Sequence, residues 1–310
     1  MTQSYFLGID QGTSGSRALI LDGAGLIRGY GYRPLDSVHP RPGWVEQDPY
    51  LVAESVATAM TLAVADANIH PGEIAACGIA CQRNTEFVWD AETGQPLGNA
   101  ITWQDLRTSD LHRTLAAEYD AAVVRHRLGH VPAAFSSALH LAWRLQQETE
   151  VARAARTGRL RAGFSAAWLL HALGHAREHV MDYSLVQALG VYDFRGECFW
   201  TDWLDRLQIP QSVLPAARPT VHDYGTITVR APGGESADVP VLAMIGDQQA
   251  ALFGFECRQP GDAECTHGTA SFVNVCLGKE APDLPQFNVY YGWVLDDGPT
   301  YCLEARTTAT

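Results

Sequence analysis

The sequence predicts an α/β protein in which a complete sheet-and-helix lobe is followed by the opening strands of a second, similar one. Three observations carry this. The run Tyr5-Phe6-Leu7-Gly8-Ile9 ends in Asp10, a Gly12-Thr13-Ser14-Gly15 turn follows, and a second apolar run begins behind Arg17: strand, turn, strand. A long Ala-rich helical pattern and a later apolar run, Val239 to Ile245, supply the layers that such strands need to bury a face. In the last third, Ala263 to Cys276 again reads as strand, Gly268-Thr269 turn, strand, so the architecture looks duplicated.

In chain order, Asp22-Gly23-Ala24-Gly25 is a turn and Leu26 to Arg33 a third strand. Asp48 is placed to cap a helix whose first position is Pro49, and Tyr50 to Asn68 continues it. Pro71-Gly72 breaks the chain, Ile74 to Ala80 reads as a buried strand, and Glu86 to Trp89 as another. Helical patterns dominate from Leu106 to about Arg156, interrupted near Gly129-His130-Val131-Pro132, and further helices are expected up to Leu207. Val239 to Ile245 is a strand that runs through Gly246-Asp247-Gln248-Gln249 into a helix over Ala250 to Phe255, with Asp247 a candidate N-cap. Strands at Asn288 to Val294 and Thr300 to Glu304 complete a second meander.

The first turn is open to two readings. It is an ordinary polar hairpin, or it is an anion cradle in which Gly12 and Gly15 let backbone N–H groups converge. In the second case Thr13, Ser14 and Ser16 add hydroxyls, and Asp10 holds hydrated magnesium. A Walker A loop is excluded because the single lysine of the chain is Lys279, and a dinucleotide fingerprint because strand rather than helix follows the glycines.

Composition narrows the classes. With 46% apolar and 18% charged residues the chain is ordinary for a globular protein. A net charge of −13 opposes binding to nucleic acid or an anionic membrane as a main activity. No apolar run approaches the length of a membrane span, and no signal peptide precedes the first strand, which predicts a cytoplasmic protein. The seven cysteines form no CxxC pair; Cys77 and Cys81 read as buried thiols rather than zinc ligands, and an odd count suits a reducing compartment.

The ordered blocks identify the chain as resembling the FGGY carbohydrate kinases, and among them the glycerol kinases. The resemblance is carried by Gly8-Ile9-Asp10-Gln11-Gly12-Thr13 with Arg17, Gly43-Trp44-Val45-Glu46-Gln47-Asp48-Pro49, Gln82-Arg83 before Val88-Trp89-Asp90, and Glu92-Thr93-Gly94. It continues through Asn99 to Thr108 and Gly246 to Gly254, and closes at Gly268-Thr269. It implies a ribonuclease H-like (actin/Hsp70/sugar-kinase) lobe with a mixed five-stranded-type sheet and flanking helices, plus the opening strands of a second similar lobe. The implied domains are 1–246, binding substrate and phosphate, and 247–310, a linker helix and the truncated start of a nucleotide-binding lobe.

The implied activity is ATP-dependent phosphorylation of a polyol or sugar hydroxyl, with ATP and Mg2+ as cofactors. No nucleic-acid or membrane partner is expected, and a homo-oligomer is. The resemblance makes Asp247 the general base. Arg83, Asn84, Trp103, Phe135, Asp247, Gln248 and Phe272 become the substrate pocket, and Asp10, Gly12, Thr13, Ser14, Gly15, Arg17, Gly268 and Thr269 the phosphate-facing turns, with Asp10 toward the metal.

Two departures stand out. Glycerol kinases follow the matching arginine with glutamate, where this chain has Asn84, and the family's substrate tyrosine is replaced by Ala134 or Phe135. Losing a charge-assisted acceptor weakens glycerol binding by about 1.5–3 kcal/mol, which points to another polyol or a ketose. A second meander without helices to cover it reads as part of a longer protein. The 310-residue chain is therefore expected to turn over little by itself and to expose an apolar sheet face. A non-catalytic sugar-binding or regulatory relative is the alternative.

Overall fold

The structure, a computed structural model, describes residues 4–267 and 270–308. Strands β1 (Tyr5–Gln11), β2 (Gly15–Leu21) and β3 (Ile27–Pro34) form the expected antiparallel meander. Helix α1 (Pro49–Ala67) follows, with Asp48 accepting from the Tyr50 N–H and Pro49 at its first turn. It ends where Asn68 turns left-handed at φ 52°. β4 (Ile74–Cys81) then pairs in parallel with β1. The strands β5 (Gly174–Ala176), β6 (Val221–Arg230) and β7 (Ser236–Gly246) complete a seven-stranded mixed sheet in the order β3-β2-β1-β4-β7-β6-β5.

The first five strands of that order are the ones the pattern predicts; β6 and β5 extend the sheet beyond it. The segment expected to be helical up to Leu207 also holds strands, Leu160–Gly163, Gly174–Ala176 and Val180–Asp182, between its helices. Short strands of mixed composition carry too few residues for a period to show.

Helix α1 lies on the sheet through Val52, Val56, Met60 and Val64, all buried, each contributing about 1.5–3 kcal/mol of apolar burial. The helix comes so near β3 that a Cβ on Gly31 would stand 2.0 Å from the Ala59 carbonyl oxygen. At 19 residues and mean hydropathy 1.2, α1 is long and apolar enough to cross a membrane, contrary to the sequence expectation. Its buried stripe is spent on the sheet.

Helices α2 (Ala121–Leu128) and α3 (Ser137–Gln147) lie in the segment between β4 and β5, and α4 (Tyr183–Ala188) packs against β7. β7 passes directly into α5 (Asp247–Gly254), whose N-cap is Gly246; Asp247 is the first helical residue and not the cap. A second, antiparallel sheet follows, β8 (Ala263–His267), β9 (Ala270–Gly278), β10 (Asn288–Leu295) and β11 (Gly298–Thr308), in the order β8-β9-β11-β10. One of its faces packs Cys276, Tyr290, Trp293 and Cys302 against Leu252 and Phe253 of α5. On the opposite face Val289 and Tyr291 of β10 are buried in the core of the first lobe, while Val273 is 37% exposed and Val275, Leu303 and Ala305 are half-buried, so the expected exposed apolar face is confined to the part away from β10.

The two sheets are tied together. Gly129, at φ +80° after α2, accepts a backbone hydrogen bond from the Val289 N–H at 2.8 Å, and a Cβ there would lie 2.0 Å from the Val289 carbonyl oxygen. Buried Gln187 of α4 donates to the Leu128 and Val289 carbonyls and accepts from the Tyr291 N–H at 2.7 Å.

Candidate active site

The β1–β2 turn is closed by the Gly12 N–H bonding to the Gly15 carbonyl at 3.0 Å. Gly15 is forced by crowding, since its Cβ would sit 2.6 Å from the Tyr32 hydroxyl. Within the turn the hydroxyls diverge. Ser14 is exposed, whereas Ser16 points into the core and shares a 2.7 Å hydrogen bond with Ser55, which removes it from any anion site. Thr13 is the hub of a polar network. Its hydroxyl donates to Gln82 Oε1 at 2.9 Å and accepts from Trp103 Nε1 at 2.7 Å, while Gln47 donates to its carbonyl. Gln82 in turn donates to Gln47 and accepts from Thr85. Thr13 therefore fixes the indole of Trp103 and keeps one lone pair, with no free proton to offer.

Asp10 and Arg17 form an exposed ion pair at 3.0 Å, and the Arg17 guanidinium lies over the Tyr32 ring. Burial works against the Arg17 cation, but Asp10 outweighs it and raises its pKa further.

Asp247 is placed by the strand-to-helix junction. The Gly246 N–H donates to Ser184 Oγ at 3.0 Å, and Ser184 donates to buried Asp182, so the chain just before Asp247 is pinned. The Asp247 carboxylate accepts from the Gln248 N–H at 2.8 Å and stands 3.9 Å from Arg83 Nε. Burial within the cleft walls pushes its pKa up to about 6, opposed by Arg83 and the Gln248 N–H and reinforced by the charges of Asp10 and Glu304. Its side chain keeps 31% exposure and lines the cleft.

Arg83 follows β4. Its Nη2 is ion-paired with Glu304 of β11, its guanidinium lies 5.0 Å from the Tyr290 ring, and its buried Nε has no hydrogen-bond partner. Tyr290 also stacks on buried His130, whose pKa is lowered to about 4 by burial and by Arg83, so it is neutral near pH 7. Asn84 sits in the left-handed region at φ 58°, a conformation asparagine tolerates better than glutamate, and its side chain accepts from the Ser137 N–H at 3.4 Å.

These groups surround a cavity of about 420 Å³ between the two sheets. The sequence-predicted residues Thr13, Arg83, Asn84, Trp103, Phe135, Asp247, Gln248 and Phe272 all line it. Phe135 rather than Ala134 occupies the wall, and Gln248 is held by Asn274 at 3.2 Å. Asp10, Gly12, Ser14, Gly15 and Arg17 are not in the lining; they sit at the turn beside it, with Asp10 near enough to act on Asp247 by charge. Gly268 and Thr269 lie outside the described residues.

The sequence reading missed Arg125, Tyr290, Glu304 and Arg306, which also line the cavity. A signal was present: Glu304 and Arg306 are charges two apart in an otherwise uncharged strand, hence on one face of it.

A mixed sheet in this order, facing a second sheet across a cleft at its strand ends, defines the actin/Hsp70-like fold of the sugar kinases. A sequence model of the N-terminal domain of the FGGY family of carbohydrate kinases matches residues 5–254, and the chain belongs to that family. It is 37% identical over 305 residues to a glycerol kinase of Symbiobacterium thermophilum, covering 98% of this chain and 61% of that protein. A glycerol kinase of Petrotoga mobilis is 36% identical over 278 residues, covering 90% and 55%. Among solved structures, Plasmodium falciparum glycerol kinase with ADP superposes with TM-score 0.90 at 24% identity, over 99% of this chain and 61% of that one. A xylulose kinase from Rhodospirillum rubrum gives TM-score 0.85 at 22% identity, over 99% and 61%. The chain thus spans about 61% of the length of the first of these relatives.

Proposed function

We propose that this chain forms the acceptor-binding side of an ATP-dependent polyol or sugar kinase, with Asp247 as the general base. One observation carries the reading: Arg83, Trp103, Asp247 and Phe272, far apart in sequence, converge on one cavity. In phosphoryl transfer the protein chiefly positions groups and stabilises charge. Here Arg83, with an unpaired buried Nε, has a donor to give to an acceptor hydroxyl. Trp103 and Phe272 supply apolar walls for a carbon chain. Asp247 would take the proton of the hydroxyl as the hydroxyl oxygen bonds to the transferred phosphorus and the bond from that phosphorus to the departing ADP oxygen breaks. A base near pKa 6 is largely ionised at pH 7 and suited to that step.

ATP would supply the phosphoryl group, with the β1–β2 turn and Arg17 beside its phosphates. The carboxylates present fit magnesium: Asp10 stands beside the cleft that Asp247 lines, near enough for their charges to interact, and magnesium is usually held by one or two carboxylates plus phosphate oxygens rather than by a protein cage. Consistently, no group of three or more metal-ligating side chains occurs among the described residues. Asn84 and Phe135, offering neither a carboxylate nor a hydroxyl, favour an acceptor larger or less hydroxylated than glycerol. The division into residues 1–246 and 247–310 follows the boundary between the two sheets. With about 61% of a relative's length, the 310 residues alone are expected to turn over little. Free cysteines throughout support a cytoplasmic setting.

The test is Asp247→Asn in the kinase that carries this lobe, assayed against a panel of polyols and ketoses. Loss of turnover with acceptor binding retained supports the reading. Unchanged turnover refutes the base, and a protein that binds acceptor without turnover in any variant is the regulatory relative.

A further inference from the structure

The cavity has more positive charge than a neutral acceptor needs. In a chain of net charge −13, its lining holds three arginines against two carboxylates. The charge of Arg83 is balanced by Asp247 and Glu304, between which it lies. Arg125 and Arg306 have no carboxylate within 4.0 Å among the described residues. Arg125 is held by one Nη1, which donates to the Phe287 carbonyl at 3.0 Å and to Asn288 Oδ1 at 2.9 Å, so its other donors are unspent. Arg306 lies with its guanidinium 4.6 Å from the centre of the Phe135 ring. Stacking of that kind orients a planar cation while leaving its N–H fork free.

We propose that the acceptor is a polyhydroxy carboxylate, an aldonic acid in chemical class, whose carboxylate is received by Arg306 with Arg125 while a hydroxyl lies at Asp247. The proposal rests on the reading of the cavity as the acceptor site. A free guanidinium fork matches a carboxylate in two parallel hydrogen bonds, which neutral hydroxyls cannot reproduce. Asn84 adds no negative charge to repel it, and Phe135, having no hydroxyl, serves instead as the platform for Arg306. At about 420 Å³ the space suits a chain of several carbons, and Asp247 and both arginines share its lining.

Calorimetric titration of the chain with D-gluconate and D-glucitol, which differ only at one terminal carbon, tests this directly. The carboxylate should bind at least about tenfold tighter. Arg306→Gln should bring the ratio to about one, and Arg306→Lys, which keeps the charge without the fork, should retain part of it. Glucitol binding as tightly as gluconate overturns the carboxylate assignment and leaves the polyol reading standing. Failure of both ligands at tens of millimolar brings down the acceptor site itself. An Arg306→Gln chain that keeps its gluconate preference, or loses affinity for MgATP instead, also overturns the proposal.

Discussion

Two buried arginines in this molecule, each set between two carboxylates, have opposite fates. Arg144 of α3 donates from Nε to Glu86 at 2.8 Å, from Nη1 to Glu148 and from Nη2 to the Asn99 carbonyl. Every nitrogen is used. Arg83 is as buried, yet it bonds Glu304 alone, leaves Nε unpartnered and sees Asp247 from 3.9 Å. Arg144 completes its hydrogen bonds within the protein, whereas Arg83 lines a cavity with one donor unpaired among the described residues. Both arginines are buried and flanked by two carboxylates, so what sets Arg83, the proposed acceptor contact, apart is the donor left over.

The comparison breaks most visibly at the carboxylates' chemistry. Replacing Asp247 by Ala in the kinase should lower kcat by about 10²–10⁴-fold, the usual worth of a general base, measured by a coupled ADP-release assay. Next in size is Arg144→Ala, which strands Glu86, an acid already pushed up in pKa by burial. We expect a loss of about 3–5 kcal/mol in denaturant unfolding. Arg83→Ala should cost less than half of that, because water in the cavity can reach Glu304 and Asp247, but it should abolish acceptor binding by calorimetry. Equal losses of stability at the two arginines would remove the distinction drawn above.

A smaller effect sharpens it by pH. The Asp247 carboxyl should titrate near 6 by carbon NMR, moving lower in Glu304→Gln or Asp10→Asn and higher in Arg83→Gln. Because its folded pKa lies above the ordinary value of 3.8, the native state holds the extra proton between those two pH values. Its contribution to stability therefore falls as pH rises from about 4 to about 6, and turnover falls as pH drops below about 6. The smallest change is Trp103→Phe, which deletes the 2.7 Å bond to Thr13. It should cost about 1 kcal/mol and loosen acceptor binding slightly, read by the same titrations.

Much of the first lobe was legible from the sequence because its signals are local. The Asp48-Pro49 cap, the Gly12–Gly15 turn and the apolar run before Asp247 each need only a few neighbouring residues to be read. Strands β5 and β6 were missed where short or unevenly patterned segments gain their place from sheet partners distant in the chain. The same holds at the site. Arg83, Trp103 and Asp247 sit in recognisable blocks, but Glu304 meets Arg83 across 221 residues, and nothing local announces that meeting. Thr13 shows the converse error. Its type and turn suggested a phosphate donor, yet its proton is committed to Gln82, a fact set by tertiary packing of Gln47, Gln82 and Trp103. Asp247, a candidate N-cap by local pattern, is instead the first residue of its helix.

The tie made by Gln187 has a thermodynamic consequence. One buried amide holds the end of α2 and strand β10 with three hydrogen bonds, and Gly129 is close-packed against the same strand. On the β10 side, then, the cavity's two walls are already docked before any ligand arrives. A molecule entering there spends little of its binding free energy on assembling the wall, so differences between ligands should be expressed nearly undiluted in how long each one stays.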